Sequence, residues 1–195
     1  LEADVTDDAA LDRLFDQVAS ELGGLDYLVH SIAFAPSATF ERPFLQTTRE
    51  DWRVAMDVSA YSLVAVAQRA APLMSRGGGI LTLTYLAAER VVPHYNMMGI
   101  AKAALEASVR YLAYDLGPRG VRVNAIAPGW IASPMLDQAL AGDEARRNRI
   151  LSRTPMARFG LPEDIGWAAT YLCSPAAKFV TGVVLPVDGG ASIGF

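Results

Sequence analysis

Three features of the 195 residues predict an α/β fold with a Rossmann-like, doubly wound parallel sheet. Short apolar runs without polar alternation read as strands buried on both faces, helical patterns separate them, and glycines mark the changeovers. Leu11, Leu14, Phe15 and Val18 share one helix face, with Thr6 or Asp7 as N-cap and Gly23 and Gly24 as the stop. The continuous run 25–33 predicts a parallel strand covered on both faces. A long helical region follows over 49–74, halted by Gly77, Gly78 and Gly79, and 80–85 is the next strand. Residues 96–116 predict a helix, Gly117 and Gly120 a turn, and 121–126 a third strand. A helix near 162–173 and a strand near 183–187 complete the last cycle. Between them, 128–162 breaks the rhythm with prolines at 128, 134, 155 and 162 around a polar helical stretch. Long loops in compact domains tend to carry function, so an insertion at about 130–160 reads as a substrate lid on a single domain spanning 1–195.

Composition removes several classes of function. A net charge of -4 with both signs interspersed offers no basic stripe for nucleic acid. Charges interrupt every apolar run before the roughly 18 residues needed to cross a bilayer, so a soluble protein is expected. Cys173 is the only cysteine, which leaves no disulfide framework and no multi-cysteine metal site; a reducing cytoplasm fits. Leu1 is not an initiator and no signal peptide follows it, so the expectation is a chain that begins inside a longer gene product.

Ligands of open parallel sheets bind beyond the carboxyl ends of the strands. That directs attention to Ser31-Ile32-Ala33-Phe34-Ala35-Pro36, to Thr84-Tyr85-Leu86 and to Ala127-Pro128-Gly129-Trp130-Ile131. Tyr95 and Lys102 are seven residues apart, about 20° from the same helix face and roughly 10 Å along the axis, so a phenol and an ammonium can serve one elongated site. Alone the pair is weak evidence, since tyrosines pack in cores and lysines sit on solvated faces.

The wider context sharpens it. The run Tyr85-Leu-Ala-Ala-Glu-Arg-Val-Val-Pro-His-Tyr95-Asn-Met-Met-Gly-Ile-Ala-Lys102, with the stretch 25–36, resembles the active-site segments of the enoyl-acyl carrier protein reductases, a divergent branch of the short-chain dehydrogenase/reductases. The likeness runs from Asp4 to about Ala127. Carbonyl-reducing members place a tyrosine four residues before the lysine and a serine about a dozen residues before that tyrosine. Met98 and Tyr85 stand there instead, and a methionine donates no proton.

The resemblance implies hydride transfer from NADH, with NADPH not excluded, to the β-carbon of an enoyl thioester on acyl carrier protein, in fatty acid biosynthesis. It implies catalytic roles for Tyr85, Tyr95 and Lys102. Tyr95 would donate to the thioester oxygen, Lys102 would bind the nicotinamide ribose and favour the phenolate-like state of Tyr95, and Tyr85 would donate to substrate or shape the pocket. Cofactor contacts are implied for Asp4 and Val5 at a strand end, although Asp4 also suits a helix N-cap. They are implied too for Ser31, Ile32 and Ala33, and for Ile131, Ala132, Ser133, Pro134 and Met135. Ala35, Tyr85 and Tyr95 would face the acyl group, and no metal is expected. The family forms tetramers, and small residues around Ala60 and Ala107 suit close helix packing, so a homotetramer is expected.

Two departures qualify the likeness. No Gly-x-Gly-x-x-Gly turn occurs in these residues, so the pyrophosphate cradle and roughly two strands with their helices are expected to be missing, and the chain made alone is expected to be unstable and to bind NADH poorly by calorimetry. From Pro128 onward, Pro-Gly-Trp-Ile-Ala-Ser-Pro-Met, Arg-Thr-Pro-Met-Ala-Arg-Phe-Gly-Leu-Pro-Glu-Asp and Val-Asp-Gly-Gly resemble the carbonyl-reducing branch. A carbonyl-reducing dehydrogenase and a non-catalytic subunit therefore remain as alternatives.

Overall fold

Asp7 opens the first helix: its carboxylate accepts from Ala9 N at 2.9 Å, satisfying one of the free N–H groups of the first turn. This computed structural model describes residues 2–194. Helix α1 (Asp8–Leu22) closes on Gly23, whose φ of 69° is the left-handed stop the glycine pair predicts. Strand β1 (Tyr27–His30) follows, then α2 (Ala38–Glu41). Helix α3 (Arg49–Met56) starts on a Thr48–Asp51 capping box and runs through a π-helical segment, Asp57–Tyr61, into α4 (Ser62–Ala70). The predicted helix 49–74 is therefore helical over 49–73 but re-phased by a π-helical segment in its middle, which apolar spacing does not reveal.

Strand β2 (Gly78–Leu83), helix α5 (Asn96–Leu116) and strand β3 (Val121–Pro128) form the next unit. Gly78 is required: at φ 141°, a Cβ would lie 2.1 Å from the Asp26 carbonyl oxygen. The 130–160 region holds two helices, α6 (Pro134–Leu140) and α7 (Glu144–Ser152), with Leu136, Leu140 and Ile150 packed beside Trp130 and Phe159. Helix α8 (Pro162–Cys173) and strand β4 (Val184–Val187) complete the chain.

All pairings are parallel, in the order β1-β2-β3-β4. Alternate residues of the central strands face opposite layers. Ile80, Val121, Val123 and Ala125 pack with Leu11, Leu63, Leu105 and Val109 of α1, α4 and α5, whereas Leu81 and Ile126 pack with Leu172 of α8. The Arg122 guanidinium donates to the carbonyls of Leu172 at 2.5 Å and Cys173 at 3.2 Å, satisfying the end of α8.

Two expectations need correction. Residues 25–33 give only a four-residue edge strand, covered on one face: Leu28 packs on the core, but Tyr27 and Val29 are 47% and 56% exposed. Helix α8 lies against β2, β3 and β4. Asp4 ends no strand and caps no helix. It sits in an exposed turn, its carboxylate accepting from Thr6 N and Thr6 Oγ1 at 2.8 Å each, while Asp7 does the capping.

Candidate active site

Strand β2 ends at Leu83, and Thr84 stays aligned with β3 through its N–H bond to the Ile126 carbonyl at 2.8 Å. Tyr85 follows at the open end of the sheet. Ten residues on, Tyr95 immediately precedes α5, between two left-handed residues, His94 (φ 66°) and Asn96 (φ 40°). Asparagine tolerates that region, and its side chain also ties the turn down: Asn96 Nδ2 donates to the carbonyls of Thr39 at 2.8 Å and Arg42 at 3.0 Å. The Tyr85 and Tyr95 rings lie 5.0 Å apart at 58°, and Phe40 stands edge-on to Tyr95 at 6.3 Å.

Neither phenol hydroxyl has a hydrogen-bond partner among the described residues, and neither is sealed from solvent. Tyr85 lines a cleft with Leu86, Glu106, Trp130 and Ile193; Tyr95 lines a groove with Phe44, Val92, Gly99 and Ile100. Burial pushes the Tyr95 phenol up to about 12, with Tyr85 adding to the rise, and burial raises Tyr85 as well. Loss of hydration governs the ring in the free site, so the phenol is held neutral there and can act as a donor.

Lys102 is buried on the second turn of α5, and its ammonium donates to the Leu83 carbonyl at 2.8 Å. Burial lowers its pKa to about 8, opposed by the Glu106 carboxylate. An ammonium has three donors, and two here have no acceptor within the chain among the described residues.

A polar seam lies beneath. His30, at the end of β1, hydrogen-bonds Thr82 Oγ1 at 2.9 Å and Ser62 Oγ at 2.8 Å. Because Ser62 Oγ donates to the Val58 carbonyl at 2.7 Å, Nε2 of His30 carries the proton and Nδ1 accepts from Thr82. Ser59, in the π-helical segment, grips the loop after β1 in both directions: its Oγ accepts from Phe34 N and donates to Phe34 O, each at 2.7 Å. His30, Ser59, Ser62, Thr82 and Glu106 escape a reading that follows strand ends and motif spacing. Their signal is polar types inside otherwise apolar runs.

Of the residues anticipated for the site, the structure brings together Tyr85, Tyr95 and Ala35, the last buried with Ala55, Met97 and Met98 beside Tyr95. Lys102 joins them through Leu83, two positions before Tyr85. Ser31, Ile32 and Ala33 follow β1 as exposed residues. Ile131 bridges to Gly160, Ala132 N donates to the Gly160 carbonyl at 2.8 Å, Ser133 Oγ caps α6 by accepting from Leu136 N at 3.3 Å, Pro134 opens that helix, and Met135 is 79% exposed. Asp4 and Val5 precede α1 and share no hydrogen bond or packing cluster with the tyrosines among the described residues. No group of three His, Cys, Asp or Glu residues is arranged to hold a metal, and no helix is long and apolar enough to cross a membrane, among the described residues.

A parallel sheet with helices on both faces, with a tyrosine just before and a lysine within the helix that starts at its carboxyl end, is the arrangement of a short-chain dehydrogenase/reductase. The chain belongs to the enoyl-(acyl carrier protein) reductase family, whose model matches residues 1–192. It is 46% identical over 192 residues to enoyl-(acyl-carrier-protein) reductase (NADH) 1 of Rhizobium meliloti, covering 96% of this chain and 68% of that protein. It is 42% identical to the NADH enzyme FabI of Escherichia coli, covering 99% and 74%. Among solved structures, the Bacillus cereus enoyl-acyl carrier protein reductase with NADP+ and indole naphthyridinone superposes with a TM-score of 0.92 at 44% identity, covering 99% of this chain and 75% of the other. The Anaplasma phagocytophilum reductase with NAD gives 0.88 at 39%, covering 99% and 71%.

Proposed function

We propose that this site reduces the 2,3 double bond of a trans-2-enoyl thioester carried by acyl carrier protein, in fatty acid biosynthesis. NADH supplies the hydride when bound, with NADPH the alternative donor. The observation that carries the reading is Tyr95: a neutral phenol, its ring desolvated and its hydroxyl unpaired, beside a second tyrosine at the sheet's carboxyl end. Such a donor suits an oxygen on which negative charge develops, and it need not reorganise when that charge appears. The two spare donors of Lys102 fit a pair of sugar hydroxyls, and the exposed residues Ser31, Ile32 and Ala33 leave room for the adenosine half. Asp4 and Val5 are assigned to the adenine, and Ile131, Ala132, Ser133, Pro134 and Met135 to the nicotinamide amide and pyrophosphate. Ala35 borders the acyl path, and α6 and α7 form the substrate lid of a single domain.

Crotonyl and acetoacetyl thioesters, offered to the full-length protein, test the reaction class. NADH oxidation with the first and not the second is expected, and the reverse would establish carbonyl chemistry. Tyr95→Phe should cut turnover about 10²- to 10³-fold without unfolding the protein, as loss of one such donor does. A Tyr95→Phe enzyme of native rate would remove Tyr95 from the mechanism. A homotetrameric, cytoplasmic enzyme completes the proposal. The outer faces of the helices around Ala60 and Ala107 carry Tyr61, Tyr111 and Tyr114 at 50%, 75% and 82% exposure, and light scattering on a sizing column reads the assembly.

A further inference from the structure

Two buried polar groups lie one turn apart on α5, and the reading above uses only one of them. Lys102 and Glu106 are 6% and 7% exposed. Residues four apart share a helix face, and these two meet consecutive residues at one strand end. Lys102 Nζ donates to the Leu83 carbonyl at 2.8 Å, and the Thr84 hydroxyl donates to Glu106 Oε1 at 2.7 Å. β2 thus holds both groups in fixed positions without a direct ion pair between them. A carboxylate one turn away and partly shielded from water still favours the charged form of an ammonium without touching it.

Burial depresses Lys102, and Glu106 is the neighbour that opposes it. The remaining charges act elsewhere. His30, on β1, is held at about 4 by burial and by Lys102 itself, and is neutral whenever the lysine titrates. Glu89 raises Glu106 while Arg110 and Lys102 lower it, after the larger effects of burial, which raises it, and the Thr84 hydrogen bond, which lowers it. Tyr85 and Tyr95 are uncharged over the same range. Glu106 also borders the cleft that holds Tyr85, so water reaches that side of the pair.

We propose that Glu106, anchored by Thr84, is a positioning residue that keeps the Lys102 ammonium charged where the Leu83 carbonyl holds it, at the end of β2, so that it can serve the cofactor sugar. The sugar contact rests on the assignment of Lys102 given above, whereas the coupling of the two side chains does not.

Lys102 and Lys178 are the only lysines, so protein labelled with ¹³C at the lysine ε-carbons gives two signals, one of them an internal control. In Glu106→Gln the Lys102 midpoint should fall from about 8 by about one, that is about tenfold in proton affinity, with Lys178 unmoved. Glu106→Asp, which keeps the charge, should restore most of the difference. An unmoved Lys102, or an equal fall at Lys178, overturns the proposal. Should the glutamine variant fail to fold, the native protein decides: the Lys102 signal should carry a second, smaller inflection where Glu106 titrates, above the ordinary carboxylate range, and a single-step curve overturns the coupling. In the NADH assay, the rise of KM for NADH with pH should begin about one pH unit lower in Glu106→Gln than in the native protein. The resonance experiment needs neither cofactor nor substrate, so absence of enoyl reduction would sink the reaction and leave the lysine–carboxylate coupling separately measurable.

Discussion

His30 occupies the last position of an edge strand whose other residues are apolar or aromatic, and it is almost fully enclosed. Both ring nitrogens are satisfied, so its neutral form is at home and its cation is not. The folded pKa, about 4, lies below the unfolded value of 6.5, and between the two the unfolded chain holds more protons. Stability from this group is therefore complete above about 6.5 and is lost as pH falls toward 4, by about 3 kcal/mol in all. Urea unfolding at pH 7.5, 6 and 5 should show that decline, and His30→Asn should flatten it. A decline of the same size in the variant would assign it to other groups. At this scale the sequence exposes the tyrosines and the lysine because their spacing is periodic and their neighbours form a recognisable run. It hides His30 and Glu106, because a polar residue inside an apolar stretch looks the same whether it is paired in the interior or turned to water.

At the scale of elements, helix ends are well marked in the sequence. Asn96–Leu116 and Pro162–Cys173 have the predicted limits, since Pro, Gly and capping side chains act through local backbone geometry. The π-helical segment is not marked, since it changes no residue pattern and inserts only a rotation. Yet it is what faces Ser59 to the Phe34 backbone and Ser62 to His30. Gly99 shows another local demand. A Cβ there would lie 2.9 Å from the Ala87 carbonyl oxygen, so α5 approaches the turn after Tyr85 as closely as backbone allows. Gly99→Val should force that turn away and separate Tyr85 from Tyr95. The expected result is a loss of enoyl reduction larger than the loss of thermal stability, compared by assay and calorimetry on one preparation. Leu105, fully enclosed between α5 and the sheet, belongs to stability instead: Leu105→Ala should cost about 2 to 5 kcal/mol by denaturant titration.

For the whole molecule, the parallel layered architecture is legible because buried strands and amphipathic helices alternate along the chain. Which strand faces are covered is not legible: Val29 and Leu81 are equally apolar, but α8 covers only the second. The 130–160 region is attached through a small apolar cluster of its own, and Arg146, Arg147 and Arg149 are exposed on α7. Regions with few buried contacts open first, so trypsin should cut within α7 before any other helix, and mass spectrometry of early fragments would show a first cut elsewhere if that ordering is wrong. The common direction of the four strands also separates the molecule into a reactive end and an inert end. At the inert end Arg76 is well exposed and makes only a surface pair with Asp26, while the sole native thiol, Cys173, is half-buried and pushed up by burial. A maleimide surface coupled through Arg76→Cys would therefore hold every copy in one orientation, clefts outward, a geometry suited to a sensor electrode or a flow reactor.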